Sequence, residues 1–564
     1  MTALVTKHLS LVAGAPDGVK KLRELILDLA IQGRLLPQDP NDEPAEALLS
    51  KLTNDRQKQV RSKTIRAAKG ILPALRDDVR FSIPRDWAPV RLGEIGDWGA
   101  GATPARSNPA YYGGATPWFK SGELTSDLID AAEESVTDLA LKECSLRLNQ
   151  PGDVLIAMYG ATIGKTAILA VPATTNQAVC ACTPFEGVYN RFLLIVLKAL
   201  KRQFVGQGAG GAQPNISKEK IVATAIGLPP ELEQHRIVAK VDELMALCDR
   251  LEADQADAEA AHAQLVQALL DSLTQVTDAA EFRASWQRLS EHFHTLFTTE
   301  ASIDALKQTV LQLAVMGKLA VQSQDDEPAE VLLSRIQEHK KSLVAAGALR
   351  KQRPLPAVDP ASVPYELPKG WTWVRWDSVT WKIGDIDHKM PETTTDGIPF
   401  VSPRDFYPGN VIDFDGAKRV AQEDYERLSA KIKAERGDLI YPRYGTIGEN
   451  MIVDVDRDFL VSYSCAVIKV AHEFIEPMYQ FYCSLSACIR RQAKAAENKT
   501  TQANVGIKSI QEFLFPLPPL AEQRRIVAKV DELMALCDQL KAQLSDARKH
   551  HEKLAQALVE RAIS

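Results

Sequence analysis

The sequence predicts an α+β chain, in which two globular blocks of mixed α/β character are separated by long coiled-coil helices and the whole is an internal repeat. Three observations carry that expectation. Residues Ile237–Asp249 and Ile526–Asp538 both read IVAKVDELMALCD. Around each copy, apolar residues recur by fours and threes, the rhythm that keeps one seam of a helix on a partner. Between the helical stretches lie two segments of about domain size, rich in Gly, Pro, aromatics and short apolar runs typical of strands.

Composition sets the outer bounds. At 564 residues, with 45% hydrophobic and 25% charged side chains, the chain can hold several cores of the soluble globular kind. No apolar run reaches membrane-spanning length and the N-terminus has no secretory pattern, so a cytoplasmic location and no membrane partner are expected. The eight cysteines are scattered apart from Cys180-Ala-Cys182, without paired CxxC motifs, and read as structural. A net charge of -6 disfavours phosphate binding by the chain alone, so any DNA contact should run through local patches or in company.

Taken in order, the chain starts with a helical region, 1–80. Leu22–Ala30, a stop at Gly33, Asp42-Glu43-Pro44-Ala45-Glu46 and Leu48-Leu49-Ser50 return as Leu306–Ala314, Gly317, Asp326-Glu327-Pro328-Ala329-Glu330 and Leu332-Leu333-Ser334. Each copy predicts two helices, the second opened by a proline suited to a first helical turn. The basic runs that follow (Lys58 to Lys69; Lys340 to Arg353) read as solvated helix faces and linkers. A first block, 81–228, opens near Trp87, and a second, 361–516, near Trp371; both tryptophans are expected to anchor a domain edge. Gly152-Asp153-Val154-Leu155-Ile156 with Tyr159-Gly160 matches Gly437-Asp438-Leu439-Ile440 with Tyr444-Gly445, and Gln213 and Asn215 match Gln502 and Asn504. Elsewhere the blocks diverge.

A central spacer, 229–360, holds a long helix over 231–276, about 65 Å at 1.5 Å per residue, then a connector and helices over 302–345. In the connector, Phe282, Trp286, Leu289, Phe293 and Leu296 share one face, predicting a short amphipathic helix packed on its neighbours. A C-terminal coiled-coil helix covers 517–564. Its seam runs through Val530, Leu533, Cys537 and Leu540, as that of the first runs through Val241, Leu244, Cys248 and Leu251. His262 and His551 fall on the same seams, where a partly buried core histidine is expected.

No catalytic constellation and no metal site emerge. Gly160–Thr166 imitates a phosphate loop but has three residues between its glycines where four are needed. Gly206–Gly211 spells GxGxxG, but after a helix rather than between a strand and a helix N-terminus. With Asn108-Pro109-Ala110-Tyr111, similar to the Asn-Pro-Pro-Tyr of DNA methyltransferases, it defines one alternative, a self-contained DNA adenine methyltransferase. A coiled-coil scaffold without DNA function is another.

Each long helix is headed by Leu-Pro-Pro and Glu-Gln-x-Arg-Ile (Leu228 to Ile237; Leu517 to Ile526), and Gln213-Pro214-Asn215-Ile216-Ser217 precedes the first. With two diverged blocks between matching helices, the chain resembles, over nearly its whole length, the specificity subunits of type I restriction-modification systems. The resemblance implies a non-catalytic subunit in which each block is a target-recognition domain. Each would read one half of a split, asymmetric double-stranded DNA site, while the long helices pair antiparallel to set the spacer. It implies docking of two methyltransferase subunits and two restriction or motor subunits, which carry the S-adenosylmethionine, ATP and magnesium; this chain needs no cofactor. Polar and aromatic residues in the blocks' loops are then the candidates for DNA contact: Lys120, Ser121, Tyr159, Lys165, Gln213 and Asn215 in the first, Arg404, Arg443, Tyr444, Gln502 and Asn504 in the second. Arg and Lys suit guanine edges or phosphates, Gln and Asn adenine edges.

Overall fold

The computed structural model describes residues 9–63, 65, 72–208, 214–276, 279–498 and 503–563. The chain divides into two compact units, Met1–Ala258 with Ala547–Ser564, and Glu259–Asp546.

In the first unit, helices α1 (Leu9–Ala13), α2 (Gly18–Ile31) and α3 (Ala45–Arg61) precede the block. Leu22, Leu25, Ile26 and Leu29 form the buried stripe of α2. The helix stops at Gly33, whose φ of 68° lets the Arg34 N–H reach back to the Leu29 carbonyl at 2.9 Å. A Cβ there would also lie 2.4 Å from the Pro84 ring. Pro44 sits at the N-cap of α3 with extended backbone, one residue before the first-turn position the sequence predicts. Its missing N–H costs nothing there, and the next N–H, of Ala45, is tied to Asp86 O at 3.0 Å.

The block is closed by its own ends: β1 (Ala88–Arg91) pairs antiparallel with β10 (Ala225–Leu228). Within it runs a five-stranded sheet in the order β2 (Gly96–Ala100), β9 (Val179–Pro184), β6 (Val154–Ala157), β7 (Thr166–Leu169), β4 (Leu128–Ile129). A smaller sheet joins β3 (Tyr112–Phe119) to β5 (Ser135–Val136) and, in parallel, to β8 (Thr174–Thr175). The central strands are apolar without alternation because both faces are covered. Val154, Ile156, Cys180 and Cys182 enter one core with helix α4 (Asn190–Ala199), while Leu155, Ala157, Val179 and Ala181 enter another with Phe119 and Leu124.

Helix α5 (Glu231–Gln275) is 45 residues long. Ile237, Val241, Leu244 and Cys248 are buried in the first unit's main core together with the stripe of α2, and Leu251 packs on its edge.

The second unit repeats the plan with additions. α6 (Ala279–Glu291) and α7 (Phe293–Leu296) form the connector. It is two helices broken at His292, rather than the single amphipathic one expected, and its Leu289, Phe293 and Phe297 are buried with Val266, Leu270 and Leu273 from the tail of α5. Then come α8 (Glu300–Val315), capped by Thr299 and ended by Gly317, and α9 (Ala329–Ala345). The block is again closed by a ribbon, β11 (Thr372–Arg375) with β22 (Leu514–Leu517). Its sheet runs β12 (Thr380–Gly384), β21 (Cys465–Val470), β18 (Leu439–Pro442), β19 (Met451–Ile452), lacking only the fifth, edge strand of the first. A second sheet orders β13 (Thr393–Thr394), β17 (Lys418–Val420), β14 (Ile398–Val401) and β20 (Leu460–Val461), with β14 and β20 parallel like β3 and β8. The hairpin β15 (Phe406–Tyr407) with β16 (Val411–Ile412) is an insertion, and helix α10 (Pro477–Leu485) corresponds to α4.

Helix α11 (Leu520–Ile563) has 44 residues. Ile526, Val530, Leu533, Cys537 and Leu540 are buried in the second unit's core. Its last turns belong to the first unit, where Leu558 and Val559 pack against the core that holds Val241 and Cys248. Each unit's core thus contains the head of one long helix and the tail of the other.

Candidate nucleic-acid interface

The motif that heads each long helix fixes the block beside it. Glu233 is buried and accepts from the Trp87 indole at 3.0 Å and from Gln38 at 2.8 Å. Gln234 accepts from the Tyr189 N–H at 2.8 Å and donates to the carbonyls of Gly187 and Pro229. Arg236 forks onto Asp42 of the Asp-Glu-Pro segment. In the second unit Glu522 holds the Trp371 indole at 2.9 Å, Gln523 accepts from the Glu476 N–H at 2.9 Å, and Arg525 forks onto Asp326. Three repeated letters therefore join the long helix to the tryptophan, to the start of α4 or α10 and to the turn before α3 or α9. One bond differs. Nothing among the described residues meets the second carboxylate oxygen of Glu522, and burial pushes its pKa up to about 7. Glu233, which Gln38 also reaches, is raised by burial too.

Held this way, each block gathers its candidate residues at one end of its sheet. Strand β3 runs into a turn that starts at Lys120, whose N–H donates to Glu123 at 2.6 Å. Strand β14 runs into the same turn at Ser402, whose N–H donates to Asp405 at 2.8 Å, with Arg404 exposed on it. Beside that turn lies the loop between the parallel strand and the next. The Asn176 N–H bonds Phe119 O at 2.9 Å and the Met158 N–H bonds Ala178 O at 2.8 Å; in the second block Ser462 bonds Val401 and Arg443 bonds Ser464, both at 2.8 Å. The following residue, Tyr159 or Tyr444, forms an isolated β-bridge with Asn215 or Asn504. The polar loop, the turn and the bridge meet in both blocks.

Individual candidates fall into three groups. Tyr159 is 43% exposed and Asn215 is exposed, while Tyr444 and Asn504 are half-buried. Ser121 opens its turn, and Lys165, from the β6–β7 hairpin, reaches Gly122 O of that turn at 3.4 Å. Lys120 already has partners, Glu133 at 3.0 Å and Glu134 at 3.1 Å. Arg106 and Lys120 together pull the Glu134 carboxyl down to about 2. Arg443 stands apart, because it is only 5% exposed and its guanidinium is taken up by Asp385 and by Val505 O at 3.0 Å. That engagement gives it a positioning part, under the Tyr444 ring it touches by cation–π contact. Gln213 and Gln502 lie outside the described residues. The seam residues Val241, Leu244 and Cys248, and Val530, Leu533, Cys537 and Leu540, are buried each in the core of their own unit, beside the repeated helix: Arg23 of α2 bonds Asp249 at 2.7 Å and Asp304 of α8 pairs with Lys541 at 2.6 Å.

The enzyme-like stretches have structural uses. Gly160 and Gly164, both at positive φ, shape the β6–β7 hairpin. Asn108 caps the turn Pro109–Tyr111, and Gly206–Gly208 end a helix. Four further residues at this end of the blocks escape sequence inspection: Gln177 and Tyr463 at the loop tip, and Thr103 and His388 from the segment after β2 or β12. The available signal was the polar pair Asn176-Gln177 and the triplet Ser462-Tyr463-Ser464, each shortly before an apolar run. Among the described residues no helix is long and apolar enough to cross a membrane.

Comparison with known proteins gives one consistent result. The family described as "Type I restriction modification DNA specificity domain" matches residues 84–260 and 368–547. The chain is similar to the type I restriction enzyme EcoEI specificity subunit of Escherichia coli, 31% identical over 97% of this chain and 94% of that one. It is also similar to the EcoAI specificity subunit of the same organism, 30% identical over 97% and 94%. Among solved structures, a chain from a type I R-M system assembly aligns over 86% of this chain and 99% of its own, at 19% identity and a TM-score of 0.48.

Proposed function

Because the chain belongs to the type I restriction-modification DNA specificity family, we propose that it reads a bipartite, asymmetric double-stranded DNA site, one half per block. It does so without chemistry of its own, as the specificity subunit of a multisubunit methyltransferase and endonuclease. The observation that carries this reading is the repeated frame with unlike side chains on it. Both blocks present a turn, a loop tip and a tyrosine–asparagine bridge at the same end, and the chemistry displayed there differs between them. An asymmetric target requires that difference, since each base pair offers its own pattern of donors and acceptors in the major groove. Residues 81–228 and 361–516 act as the target-recognition domains, and 1–80, 229–360 and 517–564 as the helical frame.

Tyr159, Asn215, Lys165 and Ser121 in the first domain, and Arg404, Tyr444 and Asn504 in the second, are the proposed DNA-facing groups, with Lys120 and Arg443 as residues that hold them. The helical frame, which offers the same heads twice, suits two methyltransferase subunits. The restriction or motor subunits join that assembly in the cytoplasm, and S-adenosylmethionine, ATP and magnesium come with the partners. The net charge of -6 fits a chain that meets DNA in company. A graft tests the reading. Replacing residues 84 to 227 by those of another specificity subunit, and mapping methylated positions in host DNA, should change one half of the site and leave the other and the spacer; an unaltered site would sink the proposal.

A further inference from the structure

The loop between β8 and β9, and its partner between β20 and β21, combine a fixed frame with a variable tip. In the first block Asn176 Oδ1 accepts from the Ala178 N–H at 3.1 Å, closing a turn around Gln177; in the second Ser462 Oγ accepts from the Ser464 N–H at 3.3 Å around Tyr463. The loop backbones are tied on one side to the end of the preceding parallel strand and on the other to the residue before the bridge tyrosine, with lengths that agree within 0.1 Å. Such a turn cannot slide. The flanking residues keep the same backbone bonds with a short side chain on either side, while the central one changes from an exposed amide to a half-buried phenol.

Each tip is also held sideways by the segment after the first strand of the sheet. The Thr103 hydroxyl donates to Gln177 Oε1, which leaves the Nε2 donors of the amide unengaged among the described residues. In the second block His388 stacks on the Tyr463 ring, centroids 5.1 Å apart, and is steadied by Asp385 at 3.3 Å; Tyr444 meets the other edge of the ring. Asp385 itself exists only in this block. In strand register its place in the first block is taken by Ala100, and the counterpart of Arg443 is the buried Met158.

We propose that Gln177 and Tyr463 are specificity-determining residues, each contacting base edges in the half-site of its own block, with Thr103 and the His388–Asp385 pair as their positioning residues. This rests on the DNA-reading function proposed above. An amide whose oxygen is engaged by Thr103 presents its N–H donors to base-edge acceptors such as a purine N7; the tyrosine offers a hydroxyl and a ring edge suited to a different base pair.

The test uses the full chain assembled with its methyltransferase subunits and a panel of duplexes in which each base pair of the mapped site is changed singly. For each position the ratio of affinities, original over changed, is measured by competition. Gln177→Ala should lower that ratio by about 5- to 100-fold at one or two adjacent positions of one half-site, and leave the others within about twofold. Tyr463→Ala should do the same in the opposite half, and Tyr463→Phe, which keeps the ring and its packing, separates hydroxyl from ring. A profile unchanged in Gln177→Ala and in both Tyr463 variants overturns the inference, and so does a uniform loss at every position, the mark of a phosphate contact. A wild-type assembly that discriminates at no base pair would sink the parent reading, and this one with it.

Discussion

At the scale of single residues, the buried carboxylates of the repeated Glu-Gln-x-Arg show how one lost hydrogen bond changes a group's chemistry. Burial raises both, but Glu233 is met on both oxygens and Glu522 on one, so burial is less offset in Glu522, whose folded-state pKa rises from 4.5 to about 7. A carboxyl raised on folding binds its proton more tightly in the native state, so this contribution to stability is complete below about pH 4.5 and is lost as pH climbs through 7. We predict that Glu522→Gln flattens that slope. Relative to wild type it should gain up to roughly 2–3 kcal/mol between pH 5 and pH 8, each unit of pKa being worth about 1.4 kcal/mol; urea midpoints at the two pH values measure it. A second prediction concerns Arg443, whose guanidinium neutralises Asp385 out of contact with solvent. Arg443→Met should cost about 2–4 kcal/mol, because it leaves a nearly buried carboxylate with weaker partners. Adding Asp385→Asn should recover much of that loss in thermal melts. Neither effect was legible from letters: Glu522 sits in a recognisable repeat, but whether its second oxygen finds a partner depends on a side chain folding back from another segment, as Gln38 does onto Glu233. Arg443, with Met158 at its place in the first block, lies outside the repeat.

At the scale of elements, periodicity revealed a great deal. The seam of α11 was readable because Val530, Leu533, Cys537 and Leu540 return by threes and fours, and all four are buried. Leu533→Ala should therefore cost about 2–5 kcal/mol, the range for a large apolar side chain removed from a packed core, seen as a lower denaturant midpoint for the second unit. What spacing could not tell is which surface the seam meets. Arg23 of α2 bonded to Asp249, and Asp304 of α8 paired with Lys541, reveal that the helix repeated at the start of each half lies along it. The strands were legible as apolar runs, but their registers were not. The end of the sheet proposed to read DNA is assembled from backbone bonds between residues as far apart as Phe119 and Asn176, or Met158 and Ile216, and no local pattern encodes those. Hence Tyr159 and Asn215 could be proposed from the repeat, whereas Gln177 and Tyr463, one an amide and the other a phenol, offered no match to follow.

At the scale of the whole molecule, the repeat is a division of labour between a frame that stays the same and ends that do not. Each unit's core needs a piece of helix from a remote part of the chain: Leu558 and Val559 complete the first, and His551 meets the Leu11 carbonyl at 2.6 Å. Removing residues 547–564 should accordingly weaken the first unit and spare the second. Hydrogen exchange should accelerate in Leu22–Ile26 and Val241–Cys248, while Val530–Leu540 keeps its protection. The same arrangement governs how the protein is born. The strip that covers α1 and the head of α5 leaves the ribosome long after everything it covers, so the half translated earlier is the half finished last. A nascent chain cut short by a damaged message would lack Leu558, Val559 and His551 and leave the apolar side chains they cover open to water, the kind of surface that chaperones and proteases seize.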